Sequence, residues 1–132
     1  NQPWRIGVQD PEDERDQYIA VIEATDETLV TSGAYERFLK VDDTVYHHIL
    51  NPETGYPADS DILSVTIIAK DSIDADALST SVYILGREAG LALVNSLNNI
   101  ETVIIDKERR VFASAGVRDR LTIVDPKFVL MP

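Results

Sequence analysis

The stretch "ILSVTIIAK" (residues 62–70) runs directly into "DSIDADALSTSVYILG" (residues 71–86), and this change of pattern decides the fold. The first segment is a long apolar run rich in β-branched residues, which is typical of a buried strand. The second segment has helical spacing of its apolar residues, with Asp71 or Ser72 as the N-cap and Gly86 as the terminator. A buried strand that leads into an amphipathic helix predicts a sheet with helices packed on it.

Further strand patterns lie on both sides of this pair. Upstream, "AYERFLK" and "TVYHHIL" flank Asp42-Asp43 and predict a hairpin. Downstream, "REAGLALVNSLNN" predicts a second amphipathic helix, and "KER" and "AGVRD" predict turns. The other predicted strands are residues 4–8, 18–25 and 27–33 and the segments "IETVIID", "RVFAS" and "RLTIVD". About nine short strands and two helices predict an α+β fold, with one mostly antiparallel sheet and the two helices packed on a face.

The charge balance and the absence of cysteine limit the kinds of ligand and chemistry that the chain can support. With 12 basic and 23 acidic residues, the 132-residue chain carries a formal net charge of −11. This balance argues against a nucleic-acid partner, because phosphate binding needs a basic surface. It permits phosphate ligands, since a divalent metal ion can lie between carboxylates and phosphates. The chain has no cysteine, so thiolate chemistry is excluded, and it has no apolar run of about 18 residues that could span a membrane.

Both histidines lie side by side in "YHHILNPETGYP" (residues 46–57). On a strand, neighbouring side chains point to opposite faces, so only one of His47 and His48 can face a site. The "NPETGYP" segment is rich in turn-forming residues, which makes it a fixed platform for a catalytic base. The plain alternative is a tight connection with two surface histidines, and composition alone favours that alternative.

Asp76 and Thr80 are four residues apart on the predicted helix, in one stripe with Tyr83 and Arg87. A carboxylate and a hydroxyl on neighbouring turns can both reach a hard cation such as Mg²⁺, whose coordination is often completed by substrate phosphates. The alternative is the solvated face of an amphipathic helix, which spacing alone favours. The predicted apolar arc lies on the other side of the helix and contains Ala77, Leu78, Ile84 and Leu85, while Ile73 and Val82 also recur at helical spacing.

Taken together, these segments resemble the signature region of the ApbE family of FAD:protein FMN transferases. That family has a His-Ile-aliphatic-(Asp/Asn)-Pro-x-Thr-Gly-x-Pro loop, a "SVTVIA"-like strand and an Ala-Asp-x-x-x-Thr helix. The chain matches these motifs in order, at residues 48–57, 64–69 and 75–80. "WRIGVQDP" and "LVTSGAYERF" are similar to two upstream family segments, so the resemblance covers residues 4 to about 125.

The resemblance implies Mg²⁺-dependent transfer of FMN from FAD to a Ser or Thr hydroxyl of an acceptor flavoprotein subunit. It implies that His48 is the catalytic base and that Asp76 and Thr80 bind the metal ion. His48, Ile49 and Asn51 are then the expected contacts of the flavin substrate, and His47 is expected to be structural or exposed. FAD hydrolysis with water as acceptor, and a non-catalytic flavin-binding or assembly module, remain alternatives.

Members of that family are much longer than this chain. Residues 1–132 are therefore expected to be the C-terminal portion of one flavin transferase domain, similar to the corresponding part of the ApbE (T-fold-like) domain, with the N-terminal half absent. We expect such a fragment to be inactive by itself and to self-associate. The resemblance also implies an extracytoplasmic location for the parent protein, in the periplasm or as a membrane-anchored lipoprotein.

Overall fold

Three layers make up most of the fold: a three-stranded sheet, a five-stranded sheet and a pair of helices. The structure is a computed structural model, and it describes residues 2–13 and 16–132. In chain order, the elements of this part are β1 Trp4–Gln9, β2 Tyr18–Ala24, β3 Thr28–Gly33, β4 Phe38–Val41, β5 Thr44–His47, β6 Ile62–Ala69, α1 Ser72–Leu85, α2 Arg87–Asn95, β7 Glu101–Asp106, β8 Arg110–Ala113, α3 Ala115–Arg118, β9 Leu121–Ile123 and β10 Val129–Leu130.

The central layer is the five-stranded sheet, with strand order β10-β8-β7-β6-β3. Its pairs are antiparallel except for β8 and β10, which are parallel. Val65, Ile67 and Ala69 of β6 pack in the cluster that contains the helices, whereas Ile68 packs in the cluster on the other face. Because both faces of β6 are covered, nearly all of its residues are buried, and these include the polar Ser64 and Thr66.

The second face of the central sheet is covered by a separate sheet with strand order β1-β2-β9. Ile19 and Ile22 of β2 pack there against Val103, Ile105 and Val111. The predicted α+β class and mostly antiparallel pairing are confirmed. One sheet was expected, however, and the strands form three. The physical reason is that the central sheet is apolar on both faces, so each face needs a covering layer. The hairpin β4–β5 forms the third sheet.

Helix α1 buries a different face from the predicted apolar arc. Its buried residues are Ala75, Ser79, Val82 and Tyr83, whereas Ile73 and Leu85 are 77% and 52% exposed. Small side chains let the helix lie close to the central sheet, and the buried Ser79 hydroxyl has hydrogen-bond partners, so its burial costs little. The predicted N-cap at Asp71 is correct in position, although its side chain makes no capping hydrogen bond.

A sharp junction at Gly86 separates α1 from α2. The residue has φ +85°, a conformation that favours glycine, and its N–H donates to the Val82 carbonyl to close α1. One turn into α2, a Cβ placed on Gly90 would lie 2.6 Å from Val82 Cγ1. The absence of a side chain at Gly90 therefore permits the close contact between the two helices.

The segment "AGVRD" was predicted as a turn and contains the one-turn helix α3. Glu101 explains the difference, because its carboxylate accepts hydrogen bonds from the Gly116 N–H at 3.1 Å and from the Ser114 hydroxyl. This contact from a distant strand was not visible in local sequence. None of the helices in the described part of the chain has the length and apolarity needed to cross a membrane.

Candidate active site

The loop after β5 is closed on itself by main-chain hydrogen bonds. The Asn51 N–H donates to Tyr56 O at 2.8 Å, and the Ala58 N–H donates to Ile49 O at 2.9 Å. Gly55, at φ +72°, donates its N–H to Asn51 O at 2.8 Å. These bonds hold both ends of residues 48–57 together, so the predicted fixed loop is present.

His48 lies outside the strand that was predicted to contain it, because β5 ends at His47. Its side chain is exposed, whereas His47 is half-buried and Ile49 is buried. The two imidazoles thus differ in environment. Only His48 is freely accessible to a substrate in solution.

The tautomer of His48 follows from one hydrogen bond. Its Nδ1 lies 3.2 Å from the Arg37 carbonyl oxygen, which also accepts the His48 main-chain N–H at 3.1 Å. A carbonyl oxygen can only accept, so Nδ1 carries the proton. In the neutral ring Nε2 is then unprotonated and available to take a proton from a reacting group.

Thr80 lies at the end of a chain of hydroxyl groups. Ser79 Oγ donates to Asp76 O at 2.9 Å, and Ser32 Oγ lies 2.7 Å from Ser79 Oγ and 3.4 Å from Thr80 Oγ1. Because the Ser79 hydroxyl donates its proton to Asp76 O, it can only accept from Ser32. Ser32 has then used its own proton, so Thr80 is the donor in the weak contact between Thr80 and Ser32. The lone pairs of the Thr80 oxygen therefore remain free to bind a cation.

A hard cation suits the oxygens that α1 presents here. The Asp76 side chain is exposed, Thr80 is half-buried, and their four-residue spacing puts them on one side of the helix. No cluster of three or more His, Cys, Asp and Glu side chains that could hold a metal ion occurs among the described residues. A carboxylate plus a hydroxyl fits Mg²⁺, which binds few protein groups and retains water or phosphate ligands.

The remaining two predicted contacts lie on the same loop. Ile49 is only 3% exposed and packs in the cluster that also contains Val82 and Tyr83 of α1. Asn51 is half-buried, and its Oδ1 accepts the Glu53 N–H at 2.9 Å, which stabilises the turn. Through Ile49, the loop that bears His48 and the helix that bears Thr80 share one apolar cluster.

Sequence reasoning missed a cavity of about 370 Å³ beside this loop. Tyr35, His47, Asp59, Tyr83 and Lys107 are among the residues that line it. Burial, together with the charge of Asp59, raises the pKa of Tyr83 to about 12, and burial, with the charges of Glu36 and Asp10, raises that of Tyr35 to about 12. Both phenols therefore stay neutral at ordinary pH. Alternation along β5 puts Val45 and His47 on one face, and this shared face, which lines the cavity, is the signal that could have indicated it.

Comparison with known proteins gives a consistent family match. The sequence model of the ApbE family matches residues 1–104. The chain is 43% identical over 127 residues to an FAD:protein FMN transferase of Treponema pallidum, and 35% identical over 122 residues to one of Klebsiella pneumoniae. These matches cover 96% and 92% of the chain, but only 35% and 39% of the relatives.

Solved structures agree with the sequence comparison. The fold is similar to the ApbE protein of Thermotoga maritima, with a TM-score of 0.71 and 41% identity, over 81% of this chain and 34% of the other. It is also similar to the flavin transferase ApbE of Vibrio cholerae, with a TM-score of 0.70 and 32% identity, over 89% and 38%. The chain thus spans little more than a third of the curated relatives it matches.

Proposed function

The chain belongs to the ApbE family, and from that premise we propose that the protein carrying it transfers FMN from FAD to a serine or threonine hydroxyl of an acceptor protein. The observation that carries this proposal is the 43% identity, over 96% of the chain, to a protein named FAD:protein FMN transferase. The exposed His48 on its closed loop supplies the chemistry that such a transfer needs.

The reaction breaks the phosphoanhydride bond of the FAD pyrophosphate and forms a phosphate ester bond to the acceptor. The acceptor oxygen forms a bond to the phosphorus of the FMN moiety, the bond from that phosphorus to the bridging oxygen breaks, and AMP leaves. The acceptor hydroxyl must lose its proton on the way. General-base catalysis of such a step typically contributes about 10²–10⁴-fold in rate.

His48 is the group that takes this proton. Its Nδ1–H is held by the Arg37 carbonyl, so Nε2 is the basic nitrogen. The hydrogen bonds that close the loop fix the backbone that carries His48 before the substrate arrives. This lowers the entropy cost of the reaction. Asn51 stabilises the turn behind this ring, and Ile49 anchors the loop in the core.

Asp76 and Thr80 would hold Mg²⁺ at the pyrophosphate, where the metal ion neutralises negative charge when bound. The hydroxyl chain through Ser32 and Ser79 turns the Thr80 proton inward and leaves its lone pairs free. The formal charge of −11 makes such a cation more important, because the chain itself repels a phosphate ligand.

We also propose that residues 1–132 form the C-terminal portion of the transferase domain, and that the whole protein works outside the cytoplasm, in the periplasm or as a membrane-anchored lipoprotein. The share of the relatives that the chain covers, 35% and 39%, supports the first proposal. The family resemblance supports the second, and cell fractionation with an antibody to this chain tests it.

The test of activity uses the full-length protein with FAD, Mg²⁺ and an acceptor flavoprotein subunit. AMP is measured by chromatography, and bound flavin by fluorescence of the denatured acceptor. Equal amounts of AMP and acceptor-bound flavin are expected. Free FMN with AMP would instead identify FAD hydrolysis, and FAD binding without AMP would identify a non-catalytic module.

A further inference from the structure

His47 occupies a position between the histidine loop and helix α1. It is the last residue of β5 and is half-buried beside the cavity. Its Nε2 lies 3.1 Å from the Ala58 carbonyl oxygen, which can only accept, so Nε2 carries the proton. The hydrogen bond joins the strand before the loop to the residue just after it.

Ala58 is the point where the two ends of the loop meet. Its N–H donates to Ile49 O at 2.9 Å, while its carbonyl accepts from His47. His47 thus helps to hold together the two ends of the loop that bears His48. A change at His47 reaches His48 through the peptide bond that joins them and, on the other side of the loop, through Ala58 and Ile49.

The ring of His47 also contacts the helix. It packs edge-on against Tyr83, with ring centroids 5.8 Å apart and an interplanar angle of 82°. Tyr83 is 2% exposed and lies three residues after Thr80 on α1. Its carbonyl accepts the Ser60 hydroxyl at 2.7 Å, which ties the same turn of helix to the segment after Ala58.

A histidine here carries a cost that an apolar ring would avoid. His47 Nδ1 is buried and has no hydrogen-bond partner among the described residues. Leaving a buried acceptor unpaired is unfavourable, and each such case in a native structure calls for an explanation. The two contacts of His47 explain its presence here: its Nε2–H donates to the Ala58 carbonyl, and its ring packs edge-on against Tyr83.

We infer that His47 is a positioning residue, which holds the loop that bears His48 in a fixed relation to the helix that bears Asp76 and Thr80. This inference rests on the proposed function of those residues. It assigns no contact between His47 and the substrate. Its effect is on the geometry of the reacting groups, where a small misplacement lowers the rate.

Two matched variants of the full-length protein separate the contacts of His47. His47→Phe retains an aromatic edge but leaves the Ala58 carbonyl unpaired, whereas His47→Gln retains a donor near the position of Nε2. Because misplacement by about 1 Å can cost up to about 10²-fold, we expect His47→Phe to lower kcat about tenfold with the KM for FAD unchanged. His47→Gln should recover most of that loss, and the neighbouring Tyr46→Phe should change nothing.

A second readout needs no activity. In the full-length protein, the side-chain NMR signal of ¹⁵N-labelled histidine that disappears in His48→Ala identifies His48. We expect this signal to match the wild-type signal in His47→Gln and to be broadened or shifted in His47→Phe. The spectra are recorded on the same full-length protein below its thermal transition.

The outcomes distinguish the inference from the proposed function. If the wild-type protein transfers no FMN, the proposed function is wrong, and the NMR comparison still decides whether His47 positions the loop. An unchanged His48 signal and a wild-type kcat in His47→Phe would overturn the inference. Equal losses in both variants, with equally lowered Tm and a raised KM, would also overturn it, because they would indicate a general packing role.

Discussion

At the residue scale, the neighbouring side chains of His48 and His47 differ in exposure and in hydrogen bonding. His48 is exposed with a free Nε2, whereas the Nε2 of His47 is occupied by the Ala58 carbonyl. Adjacent residues of one type therefore present different chemistry, because β5 ends at His47 and the two rings have different hydrogen-bond partners. This difference gives the first prediction a built-in comparison.

Replacing His48 with Ala in the full-length protein should reduce the rate of FMN transfer by about 10²–10⁴-fold, the usual cost of losing a general base. The exposed position predicts little change in Tm. The rate is measured as flavin fluorescence on the acceptor. His47→Ala should be much milder, and an equal loss in that variant would mean that the wrong imidazole has been chosen as the base.

Asp76→Asn should raise the Mg²⁺ concentration needed for half-maximal transfer, because a charged ligand becomes a neutral one. The control is Asp74→Asn, which removes the same charge from the exposed first turn of α1. Mg²⁺ titrations of the two variants should therefore differ. Identical titration curves for Asp76→Asn and wild type would contradict the metal assignment.

The buried phenol of Tyr83 predicts a loss of stability in alkali. Its folded pKa is raised to about 12 from an ordinary value of 10.0. Between these pH values the folded state binds more protons than the unfolded state, so the free energy of unfolding falls as pH rises. Urea unfolding of the chain from pH 9 to 12 should show this fall, and Tyr83→Phe should show a smaller one. A parallel pH dependence in the variant would contradict the argument.

At the scale of elements, β6 and α1 were predictable because their signals are local. Each lies within one continuous pattern: β6 ends just before Asp71, and α1 lies between Asp71 and Gly86. The division into three sheets was not predictable, because β2 pairs with β9, which is far along the chain. The buried face of α1 was missed for a similar reason: the buried Ser79 packs against β3, where its hydroxyl meets that of Ser32.

The same limit applies to the candidate site. Turn chemistry was sufficient to predict a closed loop, whereas the strand predicted to contain both histidines ends at His47. Local patterns were not sufficient to predict the contacts of His47, because Ala58 and Tyr83 lie on other segments. Family motifs indicated Thr80, but the hydroxyl chain that orients it depends on tertiary packing.

Gly90 gives a prediction about the packing of α1 against α2. A helical Gly→Ala change at an open position usually stabilises, but here the added Cβ would lie 2.6 Å from Val82 Cγ1 and 3.1 Å from Val82 O. Overpacking should prevail and destabilise the chain by about 1–3 kcal/mol, measured by urea unfolding. A double-mutant cycle with Val82→Ala should show favourable coupling, and simple additivity would count against the contact.

At the scale of the whole molecule, the hairpin β4–β5 leaves apolar surface open. Phe38, Leu39 and Val45 are 59%, 64% and 51% exposed, and no third strand of the described residues pairs with this sheet. Open strand edges and apolar patches promote association. This hairpin is therefore the surface through which the isolated chain is expected to associate.

Sedimentation of the isolated chain should give a mass above 14.7 kDa that falls on dilution. Replacing Phe38 and Leu39 with Ser should shift the chain toward monomer, whereas Lys40→Ser should not. We expect weak FAD binding and little transfer by this chain alone. A strict monomer that binds FAD at micromolar levels and labels an acceptor would show that these residues hold a complete site.

The main-chain closure of the loop has a practical consequence for labelling. Because the hydrogen bonds at Asn51, Gly55 and Ala58 use backbone donors, the exposed side chain of Glu53 takes no part in them. The 132-residue sequence has no cysteine, so Glu53→Cys would create its sole thiol. A fluorescent dye attached there would sit five positions from His48 and could report the arrival of an acceptor by a change in emission, while the loop kept its native shape.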